Sequence, residues 1–151
     1  MLTNVFRGLA AAMVAVFLAV SPAGAAERGS VDEAKAMAEK AAAYLKAEGK
    51  DKAFAAFNKG AEYHDRDLYV FVVDDAGATV SHGANANLVG KNLKELRDPT
   101  GKLFVQEMMA IKDSGWVDYS WQNPTTKAVE PKRSYVVRVN DVVVGVGAYV
   151  K

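Results

Sequence analysis

The sequence predicts an α+β domain, in which N-terminal helices pack on an antiparallel sheet of about five strands. Three observations lead to this class. An alanine-rich helical stretch comes first, runs of β-branched and aromatic residues follow it, and short turns join the last three runs. Short connections between consecutive strands favour an antiparallel meander. The chain has 151 residues, which is enough for one such domain.

Two helices are predicted ahead of the first strand. Ser30 and Glu33 have the spacing of a capping box, and residues 34–48 contain seven alanines, which favour a helix. Gly49 stands where a C-terminal cap is expected. Asp51 is of the type that caps a second, shorter helix.

Five runs typical of strands follow, and a third helix is predicted between the second and third of them. The strands are predicted at residues 68–73, 78–81, 116–121, 133–139 and 142–149. The first consists of β-branched, aromatic and other large apolar residues without a breaker, as expected for a strand buried on both faces. Asp98 is expected to open the helix, in which Phe104 and Met108 lie on one apolar face.

Composition excludes several classes of protein. The absence of cysteine rules out disulfide scaffolds, zinc ribbons, thiol nucleophiles, cysteine-held clusters, covalent haem and a lipid anchor. The formal net charge is +1, and without Arg7 the chain has 18 basic and 18 acidic residues. A neutral domain gives no support to nucleic-acid binding.

The first 25 residues are predicted to be a secretory signal peptide. Arg7 precedes an apolar run over residues 8–20, and Ala23 and Ala25 form a small-residue cleavage site. The run is too short to span a bilayer easily. We expect cleavage after Ala25 or after Ala26, leaving a single domain at residues 26–151 in the periplasm or outside the cell.

No catalytic motif is evident, so we expect no enzyme activity, no catalytic residues, no cofactor and no metal site. Gly145 and Gly147 lie inside a terminal strand, where glycine indicates close approach of neighbouring atoms rather than a dinucleotide loop. His64 and residues 65–67 form a charged cluster, which is most simply interpreted as a solvated entry to the first strand.

Aromatic and polar side chains gather on the later strands. Strand alternation places Tyr119 and Trp121 on one face and Trp116 on the other, and separates Tyr135 from Lys132 in the same way. Tyrosine hydroxyls, a lysine and an indole are typical of a pocket for a small anion. Aromatic cross-strand pairs with surface lysines are the common alternative.

Seven motifs, in this order, resemble those of single Cache domains of the type 2 class, over about residues 33–151. They are Asp65-Arg-Asp-Leu-Tyr-Val-Phe-Val72, His82-Gly-Ala-Asn85, Leu88-Val-Gly-Lys91, Asp98-Pro-x-Gly101, Gly115-Trp-Val-Asp-Tyr-Ser-Trp121, Pro131-Lys-Arg-Ser-Tyr-Val136 and Gly145-Val-Gly-Ala-Tyr149. The resemblance implies a PAS-like extracytoplasmic sensor fold, with a curved sheet that holds a small ligand, in many members a short carboxylate such as acetate, pyruvate or propionate.

The resemblance also implies a ligand-binding set. Its members are His82, Trp116, Tyr119, Lys132 and Tyr135, with Tyr69 and Phe71 as floor residues. Lys132 would supply charge to a carboxylate, Tyr119 and Tyr135 would donate hydrogen bonds, and Trp116 would close the apolar side. Regular strands cannot turn all of them inward, so a bulge or loop near Trp116 or Lys132 is required.

The sequence ends at Lys151, immediately after the last predicted strand. We therefore expect an exported, stand-alone Cache domain that binds a short organic acid and acts through a separate membrane receptor or kinase. The alternative is a structural protein that dimerises through its N-terminal helix and binds no free ligand.

Overall fold

The computed structural model describes residues 27–150, so the predicted signal peptide and its cleavage positions lie outside the described residues. Within them there are three α-helices: α1 (Val31–Glu48), α2 (Lys50–Lys59) and α3 (Phe104–Ala110). The strands of this part are β1 (His64–Asp65), β2 (Leu68–Asp74), β3 (Thr79–His82), β4 (Ser114–Gln122), β5 (Val129–Val139) and β6 (Val142–Tyr149). Every helix in residues 27–150 falls short of what crossing a bilayer requires.

The strands form one antiparallel sheet in the order β1-β2-β6-β5-β4, with β3 also paired to β2. Helix α1 packs on β5 and β6, and α2 packs on β3 and β2. The predicted α+β class, with helices on an antiparallel sheet, is confirmed. The additional strand β1 has only two residues, which is too short for a sequence pattern to reveal.

The start of α1 matches the prediction, and the start of α2 differs from it. The Ser30 hydroxyl accepts a hydrogen bond from the Glu33 amide at 3.1 Å, and the Glu33 carboxylate accepts one from the Ser30 amide at 2.7 Å. Gly49, at φ 83°, lies between α1 and α2 without a side-chain cap for α2. Asp51 is therefore not the cap, because α2 has already begun at Lys50.

The sheet separates two apolar layers. Buried alanines of α1 pack against Val70 of β2 and Val144 of β6 on one face. On the opposite face Phe71 of β2 packs with Phe104 and Met108 of α3. Strand β2 contributes to both layers because its successive side chains alternate between the faces.

Asp98 does not open α3, which begins at Phe104. One of its carboxylate oxygens accepts hydrogen bonds from the amides of Thr100 and Lys102, and the other accepts one from the Ser120 amide at 2.9 Å. Asp98 thus shapes the loop before α3 and fastens it to β4.

Candidate functional site

A cavity of about 30 Å³ lies on the face of the sheet opposite α1. Five of the seven predicted ligand-binding residues line it: Tyr69, Phe71, His82, Tyr119 and Lys132. Each of the five is buried, with at most 7% of its surface exposed. The structure therefore brings together residues from β2, β3, β4 and β5 at one place.

Regular strand pairing produces this convergence. Tyr119 pairs with Lys132 across β4 and β5, and Phe71 pairs with His82 across β2 and β3. Directly paired residues share a face of the sheet. The pairing of β4 with β5 runs without a register shift from Ser114 to Gln122, so the bulge expected near Trp116 or Lys132 is not needed.

Two of the predicted residues, Trp116 and Tyr135, lie outside the cavity. Trp116 and Tyr135 pair with each other across β4 and β5, with ring centroids 4.9 Å apart. Tyr135 packs into the layer beneath α1, where the Lys35 ammonium lies 5.3 Å from its ring centroid. The physical reason is strand alternation. Trp116 is three residues from Tyr119, and Tyr135 is three residues from Lys132, and an odd separation places two side chains on opposite faces of a strand.

Glycines on β6 provide the space for the cavity residues. A Cβ atom on Gly147 would lie 2.5 Å from Cε of Lys132 and 2.1 Å from Oγ of Ser134. A Cβ atom on Gly145 would lie 2.3 Å from the Phe71 ring. The predicted close approach at both glycines is confirmed.

Lys132 is a buried cation without an anionic partner among the described residues. Its side chain is among the largest that are fully buried, and the residue is 1% exposed. The ammonium donates a hydrogen bond to the Tyr69 hydroxyl at 2.8 Å. In residues 27–150 it forms no ion pair.

Burial lowers the pKa of Lys132 to about 7, against a smaller opposing effect of the Asp67 charge. Aromatic rings surround the ammonium, with the Tyr69 centroid at 4.2 Å and the Tyr149 centroid at 5.1 Å. Such cation–π contacts offset part of the lost hydration. Lys132 is therefore an ammonium that releases its proton near neutral pH.

His82 is held neutral with its proton on one identifiable nitrogen. Burial and the nearby Lys132 charge lower the pKa of His82 to about 3. Its Nδ1 accepts hydrogen bonds from the amides of Asn85 at 2.9 Å and Ala84 at 3.3 Å. In a neutral imidazole whose Nδ1 is an acceptor, Nε2 carries the proton, so His82, which lines the cavity, has one N–H left to donate.

Tyrosine hydroxyls supply the other polar atoms of the site. The Tyr119 hydroxyl lies 3.0 Å from Oγ of Ser134, and the Tyr149 hydroxyl donates to the Gln122 carbonyl at 2.7 Å. Burial raises the pKa of Tyr69, Tyr119 and Tyr149 above the ordinary value. All three remain protonated, so the cavity contains donors and no anion of its own.

Sequence reasoning left Trp121 and Tyr149 out of the site. Trp121 lines the cavity, and the Tyr149 hydroxyl lies 3.3 Å from that of Tyr69. Strand alternation from Tyr119 already placed Trp121 on the cavity face, so this signal was available. Tyr149 reaches the site only through pairing with Lys132 across β5 and β6, which the sequence does not specify.

The charged cluster before β2 differs from its prediction at one residue. His64 and Asp65 are exposed, but Asp67 is fully buried. Its carboxylate accepts hydrogen bonds from the Gly29 amide at 2.7 Å and from the Asn123 side chain at 3.3 Å. Asp67 thus joins the residues that precede α1 to the turn after β4.

An outer groove of about 280 Å³ adjoins the cavity and shares Tyr69, His82 and Trp121 with it. Asn85 and Lys127 line its outer part. These three shared side chains form the wall between the groove and the cavity. Within residues 27–150, no three His, Cys, Asp or Glu side chains are grouped as a metal site requires.

Comparison with known proteins identifies similar sensor domains. The sensor histidine kinase MctS of Rhizobium johnstonii is 33% identical over 90 residues, which cover 57% of this chain and 20% of MctS. The methyl-accepting chemotaxis protein McpP of Pseudomonas putida is 33% identical over 76 residues, covering 48% of this chain and 14% of McpP. The chain thus aligns with a fifth or less of the length of these relatives.

Solved structures share the fold. A methyl-accepting chemotaxis protein from Vibrio parahaemolyticus has a TM-score of 0.69 at 26% identity, over 78% of this chain and 86% of its own. A periplasmic sensor domain of a chemotaxis protein has a TM-score of 0.62 at 32% identity, over 77% and 87%. A Cache chemosensory domain studied for carboxylic acid recognition has a TM-score of 0.61 at 22% identity, over 80% of this chain and 88% of its own. At this low identity the similarity is evidence for the fold alone.

The family model of the single Cache domain 2 matches residues 25–151, which is most of the chain. The sheet, the N-terminal helix and the similar sensor domains agree with this match. The chain belongs to the single Cache domain 2 family, and it is a sensor domain homologous to those of chemoreceptors and histidine kinases.

Proposed function

We propose that the chain is an exported sensor domain whose cavity binds a short organic acid through its carboxylate. A separate membrane receptor or kinase would respond to the bound form. The observation that carries the proposal is Lys132, a buried ammonium whose one hydrogen-bond partner in the described part of the chain is the neutral hydroxyl of Tyr69. A buried charge without a counter-ion is unfavourable, and a bound carboxylate removes that penalty.

The neutral donors around Lys132 suit a carboxylate. Nε2 of His82 carries a proton. The Tyr119 hydroxyl can accept a hydrogen bond from Ser134, which leaves its own proton for a ligand. A carboxylate has two oxygens that accept hydrogen bonds. With Lys132 in contact with one oxygen, His82 and Tyr119 are the side chains we assign to the other.

The size of the cavity favours the shortest acids. The cavity is small, at about 30 Å³, and Phe71 and Phe104 belong to its apolar lining. We expect a carboxylate with a small apolar tail to fit after Trp121, half-buried between cavity and groove, moves outward.

The comparisons support the sensory part of the proposal. The relatives are a sensor histidine kinase and a methyl-accepting chemotaxis protein, and one structural neighbour is described by its recognition of carboxylic acids. The family is a sensory domain rather than an enzyme fold. We also propose that residues 1–25 are removed during export to the periplasm, which the intact mass of protein purified from a periplasmic extract would test.

A thermal-shift and calorimetry series with acetate, propionate and pyruvate tests the ligand. At a ligand concentration of about 100 times Kd, the free energy of unfolding should rise by about 2.7 kcal/mol. Lys132→Ala and Lys132→Met should abolish the rise. Lys46→Met is the matched control, since Lys46 is an exposed residue of α1, and it should keep the full response.

Two results would contradict the proposal. One is a wild-type protein whose melting temperature responds to none of these acids. The other is a Lys132→Met protein that binds them as tightly as wild type. A concentration-dependent dimer in sedimentation, together with an indifferent ligand screen, would favour the structural alternative through α1.

A further inference from the structure

We infer that the Lys132 amine is also a nucleophile, which forms a reversible imine with a small 2-oxo acid in the same cavity. The inference rests on the proposed function for entry of the ligand. It goes beyond that function because Lys132 there acts as a charge, whereas here it forms and breaks a covalent bond.

The geometry leaves the amine free to react. In residues 27–150, Nζ of Lys132 has one hydrogen bond, to the Tyr69 hydroxyl at 2.8 Å, and no ion pair. A lysine paired with a carboxylate of the protein would be held as an ammonium in the ligand-free site, without a lone pair. Desolvation in an apolar pocket is one of the ways in which proteins activate a lysine for imine formation.

The neutral amine is well populated in this environment. Burial lowers the pKa of Lys132 to about 7, so about half of the molecules have a free lone pair at neutral pH, whereas an exposed lysine with a pKa near 10.4 has almost none. The surrounding Tyr69, Tyr119, Tyr149 and His82 are uncharged at this pH. Asp67 is the one nearby anion that opposes the loss of the proton.

The step conserves atoms and electrons. The lone pair of Nζ attacks the carbonyl carbon, and the π electrons of the carbonyl move to its oxygen. A proton then passes from the nitrogen to that oxygen, for which the Tyr69 hydroxyl is in hydrogen-bond contact with Nζ. With one further proton, taken up from solvent, the oxygen leaves as water, and the product is an iminium. No oxidant or reductant takes part.

The product fits the charge of the site. The iminium nitrogen keeps the positive charge beside the carboxylate of the 2-oxo acid, so the buried anion remains paired. His82 and Tyr119 stay available as neutral donors. Acetate and propionate have no ketone carbon, so they bind without a covalent step and compete with the 2-oxo acid.

Borohydride trapping with pyruvate tests the inference. Reduction should fix one adduct per chain, seen as a mass increase of one pyruvic acid less one oxygen atom, and peptide mapping should place it on Lys132. Lys132→Arg should lose the adduct, Lys46→Arg should retain it, and excess propionate should suppress it. Tyr69→Phe should slow trapping several-fold, because it removes the proton-transfer hydroxyl and keeps the ring.

A second measurement needs no reductant. NMR of pyruvate labelled at its carbonyl carbon should show a bound imine signal with wild type and none with Lys132→Arg. A bound ketone signal alone, no adduct at Lys132, or adducts confined to exposed lysines would each overturn the imine. Acetate calorimetry on the same preparations reports on the proposed function separately, since acetate cannot form an imine.

Discussion

Carboxylate binding should weaken as the pH rises through 7, because the cavity binds the acid with Lys132 protonated. Burial places the pKa of Lys132 in the free protein at about 7. About nine-tenths of the amine is then protonated at pH 6 and about one-tenth at pH 8. A bound carboxylate keeps the ammonium charged, so the apparent Kd should rise about tenfold over this range, or by about 1.4 kcal/mol.

Calorimetry with acetate at pH 6, 7 and 8 measures this dependence. Buffers with different ionisation enthalpies should also reveal proton uptake on binding, which grows toward pH 8. His82 does not contribute, because its pKa of about 3 keeps it neutral throughout. An affinity that is constant between pH 6 and 8, or one that increases with pH, would refute the role given to Lys132.

Three further changes have expected outcomes. Lys132→Met should raise the free energy of unfolding of the ligand-free protein by about 1–4 kcal/mol, measured in urea. The pKa of Lys132 is about 7 in the folded protein and 10.5 in the unfolded chain, so between pH 7 and 9 the folded wild type binds fewer protons than the unfolded one. The free energy of unfolding of wild type, relative to that of Lys132→Met, should therefore increase from pH 7 to 9. Gly147→Val should cost about 1–3 kcal/mol and lose the acetate-induced thermal shift, because its side chain occupies the space of Lys132. Asp67→Ala should cost about 1–3 kcal/mol by leaving the Gly29 amide unpaired, speed hydrogen exchange at Gly29, and move the pH midpoint of acetate binding below 7.

Local chemistry explains what the sequence could predict. The capping pair of Ser30 and Glu33 acts over three residues, and an unbroken run of apolar and aromatic residues from Leu68 to Val73 indicates the first long strand. Such signals need no knowledge of the rest of the fold. The fold class follows from their order, because strands joined by short turns pair with their neighbours.

The membership of the site required strand pairing as well. Alternation separated Tyr119 from Trp116, but it could not say which of the two faces the cavity. The structure resolves this through the regular pairing of Tyr119 with Lys132. Trp116 and Tyr135 match the motif and lie on the helix side of the sheet, away from the cavity, so motif similarity alone does not tell on which face a residue lies.

Asp67 shows why a charged cluster can mislead. Four polar residues in succession before a strand are typically solvated, and three of them are not fully buried. The partners that make burial of the fourth tolerable, the Gly29 amide and the Asn123 side chain, are 38 and 56 residues away in sequence. Contacts at such separations carry no local signal.

The sign of one stability change separates a binding lysine from a structural one. A lysine that holds the fold together loses a favourable contact when it is replaced, so its methionine variant unfolds more easily. Lys132 instead keeps a charge out of water with a single neutral hydrogen bond, so replacement should stabilise the free protein and remove the response to acids. In one melting experiment, the replacement should raise the melting temperature without acid and abolish the further rise that acid causes in wild type. The joint observation of these two effects is therefore stronger evidence for a ligand site than the loss of binding alone.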